Sequence, residues 1–309
     1  MTDLESNGWN DSGLKRLVSF AEESGTAQIV IRHRSGFLID EIFDPKPVDV
    51  YAVQKGILSL LFGIAEEKYL LEICDAINHH LAPEWTRLSP WTEASLTIEG
   101  LLQMVTGMDD ELSELGTVGE TWRYNNTAYN YLKKILCLHT DQTLAELSNE
   151  WLFSPLKMSE TQWEERPNLL PDGTHFTGLK STARDLSQVG MMLLDKGHYD
   201  GRQIVPSYYL ELMAQPGSKE NPAWGLCWWN NNQDSFKVPM REGENHEGNI
   251  LPNAPRDLIA ARGALGNYLY VIPSLELVVA RTAQPIEVDS KPSRFEQPFF
   301  ELLMQAQSA

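Results

Sequence analysis

Leu14, Leu17, Val18 and Ala21 recur at helical spacing and Gly25 follows as a stop, so Asp11 to Ser24 is expected to be a helix. Two strand-like runs come next, Ala27 to Arg32 and Phe37 to Phe43. The short segment His33-Arg34-Ser35-Gly36 between them suits an antiparallel hairpin. From Val53 to about Gly197 the period turns helical, with helices expected over Gly56 to Tyr69, Thr97 to Val105, Thr127 to Leu138, Thr143 to Leu152 and Thr182 to Lys196. Several of these open on a threonine suited to N-capping, and Asp185 falls in a first turn, where the helix dipole favours an acid. A short helix at Pro206 to Met213 precedes a return to strands: Ala223 to Trp229, Leu258 to Arg262, Asn267 to Ile272 and Leu275 to Arg281. Their short connections predict antiparallel pairing. Phe295 to Gln307 closes as an amphipathic helix.

Helix and strands at both ends, with helices between, predict an α/β (α+β) fold: an antiparallel sheet flanked by N- and C-terminal helices, with an inserted all-helical domain. The boundaries implied are 1–52 with 198–309 for the sheet and 53–197 for the helices. At 309 residues the chain can bury a substantial core. The long polar segment Asn230 to Arg256, rich in Asn, Gly and Pro, reads equally as a lid over a site or as a surface loop.

Charge and composition narrow the classes. A formal charge of −18 argues against nucleic acid and anionic membrane surfaces as partners. The longest apolar stretch, around Ile57 to Ala65, is too short to span a bilayer. Met1 to Gly13 carries neither a basic n-region nor an apolar h-region, so no signal peptide is expected and a cytoplasmic location is. Cys74, Cys137 and Cys227 are odd in number and widely spaced, which fits buried, reduced thiols. The histidines show no HExxH or comparable ligand spacing, so no metal is expected. Trp228 and Trp229 would face opposite sides of a strand, at least one of them in the core.

Three short segments carry candidate chemistry. In Ala52-Val53-Gln54-Lys55 a side chain at position 52 would lie beside the Lys55 amine at a helix start. With serine at 52 this would be a hydroxyl beside an activating lysine; alone, Lys55 reads as a solvated surface residue. In Tyr124-Asn125-Asn126 the outer two side chains point the same way if extended, a phenol to move a proton and an amide to orient a carbonyl. The plainer alternative is Tyr124 in the core and Asn126 as a helix cap. In Ala261-Arg262-Gly263-Ala264 a glycine at a strand end lets a ligand approach backbone N–H groups, although any hairpin can hold Arg-Gly.

Together and in this order the segments resemble the β-lactamase-related (penicillin-recognising, SxxK/YxN) serine hydrolases, closest to the branch of class C β-lactamases, esterases and nylon-oligomer hydrolases. Tyr51 to Ala65 is similar to the SxxK helix, Leu96 to Met108 to the helix before the tyrosine motif, and Gly119 to Asn126 to the YxN motif with its lead-in. Pro155 to Met158, Ser181 to Leu186, Gly201 to Pro206, Trp224 to Trp229 and Gly266 to Pro273 fit further family segments. The resemblance implies a β-lactamase/transpeptidase-like fold with an active site in the cleft between the two domains. It makes position 52 the nucleophile site, Lys55 the activating lysine, Tyr124 the proton relay and Asn126 the substrate-orienting amide. Residues 261–263 take the place of the KTG or HxG triplet, with Arg262 and Gly263 in the substrate wall and the N–H groups of residues 52 and 264 as the oxyanion hole. A small ester or amide is the implied substrate, attacked through an acyl-enzyme without any cofactor.

Two departures qualify this. Ala261 is neither basic nor imidazole, which weakens a penicillin-binding reading, and alanine stands at position 52, where a methyl group cannot attack a carbonyl. Ser59, a full turn beyond Lys55, does not restore the motif. The retained Lys55, Tyr124 and Asn126 favour a serine-to-alanine replacement in an active enzyme; natural loss, leaving a binding or regulatory pseudoenzyme, is the alternative.

Overall fold

A computed structural model describes residues 8–284 and 295–307. Asn10 caps α1 (Asp11–Glu23), its side-chain oxygen accepting the Gly13 N–H at 2.7 Å. β1 (Thr26–His33) and β2 (Gly36–Ile42) form the expected hairpin, and β3 (Val48–Asp49) leads into α2 (Val53–Glu67). Next come α3 (Pro90–Glu93), α4 (Ile98–Leu102), α5 (Asn126–Leu138) and α6 (Leu144–Ser148). β4 (Gln162–Leu169), β5 (His175–Ser181), α7 (Ala183–Leu194), β6 (His198–Tyr199), β7 (Arg202–Gln203) and α8 (Ser207–Met213) follow. The chain ends with β8 (Trp229–Asn230), β9 (Ser235–Phe236), β10 (His246–Glu247), β11 (Ile259–Gly263), β12 (Asn267–Ile272), β13 (Leu277–Ala283) and α9 (Glu296–Ala306).

The main sheet is antiparallel throughout, in the order β2-β1-β13-β12-β11-β8, so strands from the two ends of the chain lie side by side. Alternation along β12 sorts the covering helices. Leu269 meets α7 at Gly190, whereas Tyr268 and Tyr270 turn to the rings of Phe295 and Phe300 at the C-terminal helix. α1 and α9 therefore cover one face, and α7 the other. α2 is apolar on nearly all sides and buried from Val53 to Ala65, the pattern of a helix enclosed by its own protein. Gly56 makes part of that enclosure work. A Cβ there would lie 2.8 Å from Trp228 Cε2, and the Trp228 indole donates to the Gly56 carbonyl at 3.2 Å.

Most expected elements are present, and Thr97, Thr143 and Thr182 cap their helices by accepting the N–H three residues on. Three differences have physical reasons, and a fourth is one of exposure alone. The stretch expected to be wholly helical holds the β4–β5 hairpin, which joins β3 in a three-stranded sheet. β4 is exposed or half-buried along its length, so its sequence shows no apolar alternation. α7 packs on β13, β1 and β12, so it travels with the main sheet although it precedes the expected boundary at 197. Of Ala223 to Trp229 only Trp229 pairs as strand, because Cys227 has a left-handed φ of 61° and the Gly225 N–H turns back to the Trp228 carbonyl. Finally, Cys227 is buried but Cys137 is only half-buried and Cys74 is exposed; all three are free thiols. Residues 1–7 of the expected leaderless start lie outside the described residues. No helix among the described residues is long and apolar enough to cross a membrane.

Candidate active site

A cleft of about 690 Å³ opens where the start of α2, the start of α5 and the end of β11 converge. Ala52, Lys55, Tyr124, Asn126, Arg262, Gly263 and Ala264 all line it. The three sequence segments, far apart in the chain, thus meet in one place.

Position 52 sits on a sharp corner. Tyr51 adopts a left-handed φ of 50°, held by its N–H donating to Asp49 Oδ1 at 2.8 Å. Ala52 then enters helical geometry as the first residue before α2, where the helix dipole presents N–H groups favourable to negative charge. β11 passes very close. A Cβ on Gly263 would lie 2.2 Å from the Val50 carbonyl oxygen and 3.3 Å from the Ala52 nitrogen. Only glycine allows that approach, and the approach brings residues 263 and 264 to the edge of position 52. Gly263→Ala is therefore expected to destabilise the fold by about 2 kcal/mol through backbone displacement, read as a lower denaturant midpoint.

Lys55 lies one turn further along α2, 3% exposed, and its ammonium donates to Asn126 Oδ1 at 2.8 Å. Its nitrogen also lies over the rings of Tyr129 at 4.2 Å and Tyr124 at 4.8 Å. Burial pulls its pKa down to about 8, with the Arg166 charge adding to that and Cys227 and Asp110 opposing it. The solvated-lysine alternative is thereby excluded. Burial pushes the Tyr124 phenol well up, so Tyr124 stays protonated at neutral pH. Asn125, not Asn126, caps α5: its oxygen accepts the Ala128 N–H, and its amide donates to the carbonyls of Met108 and Asp109. With Asn125 tied inward, the flanking Tyr124 and Asn126 are left to the cleft, as extended alternation requires.

Arg262 is in the cleft wall but not free in it. Its guanidinium makes a two-pronged bond to Glu296 at 2.8 and 2.6 Å, and Tyr270 donates to the same carboxylate at 2.7 Å. That pairing keeps Arg262 charged and anchors the triplet strand to α9.

Sequence reasoning missed several wall residues. Arg166 and Phe176 come from the unexpected β4–β5 hairpin, with Arg166 bound by both oxygens of Asp49 at 2.7 and 2.6 Å. Trp229 lines the cleft and packs edge-on to Trp224, which meets Tyr124 in turn, while Trp228 is core. Only the tryptophan pair carried a signal, and it did not say which ring faced the site. The polar segment after β8 contributes Val238, Pro239 and Met240 to the rim. Glu242 ties it to Arg123, beside Tyr124, at 2.7 Å.

A six-stranded antiparallel sheet covered by helices, with a cleft lined by a lysine, a tyrosine and an asparagine, is the architecture of the β-lactamase-like hydrolase class. Residues 46–285 match the family model described as Beta-lactamase, and the chain belongs to that family. An uncharacterized protein of Alkalihalophilus pseudofirmus is 27% identical over 273 residues, covering 81% of this chain and 77% of that one. Among solved structures, a candidate beta-lactamase from Bacteroides dorei superimposes with a TM-score of 0.74 at 14% identity, covering 96% of this chain and 99% of that one. A candidate 6-aminohexanoate-dimer hydrolase from Bacillus anthracis gives 0.72 at 17% identity, covering 94% and 80%. Those two likenesses show the shared fold.

Proposed function

We propose that this chain is a serine-hydrolase scaffold for a small ester or amide, complete except for the nucleophile at position 52. The observation that carries the reading is Lys55: buried in the cleft, one turn from Ala52, bonded to Asn126 and lowered to about 8. A buried lysine lowered toward neutrality is expensive to keep and suits a general base.

In the serine form, Lys55 as a neutral amine takes the hydroxyl proton, directly or through Tyr124, as the oxygen attacks the substrate carbonyl. Tyr124, protonated at neutral pH, gives its proton to the leaving group and is reprotonated by Lys55, which thereby returns to the neutral amine. Asn126 orients the carbonyl substituent, and the N–H groups of residues 52 and 264 stabilise the oxyanion. Water then hydrolyses the acyl-enzyme. With Ala52 the first bond cannot form, so the present chain holds substrate uncleaved. The retained apparatus supports a serine-to-alanine replacement in an enzyme; Ala52 itself favours the second reading, a natural binding or regulatory protein on this fold.

The test is equilibrium binding of p-nitrophenyl esters, D-amino-acid amides and a chromogenic cephalosporin to the Ala52 chain. At least one should bind and be recovered intact, with its carbonyl at residue 52 in a soaked crystal. A failure of every member to bind, with the protein folded, would remove the substrate-holding claim.

A further inference from the structure

A second lysine is buried beside the first and is not used by the mechanism above. Lys133, on α5, is 5% exposed, and its nitrogen donates to Gln54 Oε1 at 2.7 Å, Asn130 Oδ1 at 2.9 Å and the Thr177 carbonyl at 2.7 Å. These acceptors belong to α2, α5 and β5, three elements that form the cleft. Both lysine nitrogens address one ring: Tyr129 lies 4.2 Å from Lys55 Nζ and 5.0 Å from Lys133 Nζ. The two nitrogens are therefore no farther apart than those two distances together.

Two ammonium groups this close in a buried setting repel, and the proton balance between them is decided by their hydrogen bonds. Three carbonyl-type oxygens around Lys133 match the three N–H donors of an ammonium. A neutral amine has two donors and a lone pair, which would leave one oxygen facing that lone pair. Lys55 has one such acceptor, Asn126 Oδ1. No carboxylate forms an ion pair with either lysine among the described residues. The other charges nearby are already engaged: Arg166 with Asp49, and Asp110 with Arg123 and the Asn126 N–H. Cys227, which faces Lys55, keeps its proton because burial raises it to about 12.

We propose that Lys133 is a positioning residue: it holds its charge in a three-oxygen cradle and so drives Lys55 to the neutral amine that can accept a proton. The role rests on the proposed function for what Lys55 then does, but the proton balance itself does not. Burial, and after it the charges of Lys55 and Arg166, pull Lys133 well below the usual lysine value; the three-oxygen cradle is what opposes them. Two charges no more than about 9 Å apart at an effective dielectric of about 20 displace each other's titration by at least about one pH unit.

The experiment uses the present Ala52 chain with lysines labelled with ¹³C at Cε, assigned through Lys55→Arg and Lys133→Arg and titrated by NMR. Lys55 should lose its proton first as pH rises, with Lys133 still charged. In Lys133→Met the Lys55 transition should move up by at least about one pH unit, and in Lys133→Arg it should stay near the parent value. The proposal is overturned if Lys133 titrates before Lys55, or if Lys133→Met folds and leaves Lys55 unmoved. It is equally overturned if Lys133→Arg moves Lys55 as far as Lys133→Met does. Should Lys133→Met not fold, the order of the two titrations in the parent decides. None of these readings requires turnover, so an inactive Ala52→Ser form would count against the proposed function and leave this result standing.

Discussion

Ala52→Ser is expected to raise kcat for a cleaved p-nitrophenyl ester by about 10⁶ over the present chain, the size of effect seen when a comparable hydrolase gains or loses its serine. The partners proposed for a serine at position 52 share its cleft. Lys55, Tyr124 and Asn126 line the same cleft as residue 52, and Lys55 is bonded to Asn126 at 2.8 Å. The substitution adds one oxygen at a cleft-lining position, so the fold has little to accommodate. Stopped-flow mixing should show a burst of nitrophenolate equal to the enzyme concentration whenever deacylation is the slower step. A rate that rises less than about tenfold in a folded protein would place the deficit elsewhere than position 52.

Lys55→Met should separate activity from stability. In the serine background it is expected to lower kcat by about 10²–10⁴, the range for loss of a positioned general base. In the present chain it should stabilise the fold near pH 7. Burial lowers Lys55 from 10.5 to about 8, so below pH 8 the folded protein carries a charge it holds at a cost. Each pH unit between those values corresponds to about 1.4 kcal/mol, giving about 3 kcal/mol in all. The lost bond to Asn126 takes back about 1 kcal/mol, leaving a gain of about 2 kcal/mol. Between pH 8 and 10.5 the unfolded lysine binds a proton that the folded one does not, so the parent gains stability as pH rises. The advantage of Lys55→Met should therefore shrink through that window. Denaturant midpoints at pH 7 and pH 10 measure it; an unchanged difference would mean that Lys55 is not held at a cost.

The sequence pattern and the structure agree where local chemistry decides. The threonine caps at 97, 143 and 182, the hairpin after α1 and the antiparallel strands at the C-terminus each rest on contacts within a few residues. They part where burial on another element decides. Gln162 to Leu169 pairs as a strand although its side chains stay in or near solvent, leaving no period to read. The residues lining the candidate cleft were legible as three motifs, but their electrostatics were not. That Lys55 is buried, that Arg262 is locked onto Glu296, and that Lys133 stands behind Lys55 all follow from helices and strands far apart in the chain. Asn125 shows how narrow the margin is: it takes the capping role assigned to its neighbour, and that one-residue difference releases Asn126 to the cleft.

The central claim is that acyl transfer is blocked at position 52 and nowhere else. Intact-mass spectrometry of the present chain and of Ala52→Ser, each treated with a fluorophosphonate and with a p-nitrophenyl ester, tests it most directly. The account predicts one covalent adduct per chain in the serine form, mapped to the peptide containing residue 52, and none at that peptide in the alanine form. A folded serine form that takes up neither reagent, or an adduct that maps to another residue in both forms, would contradict it.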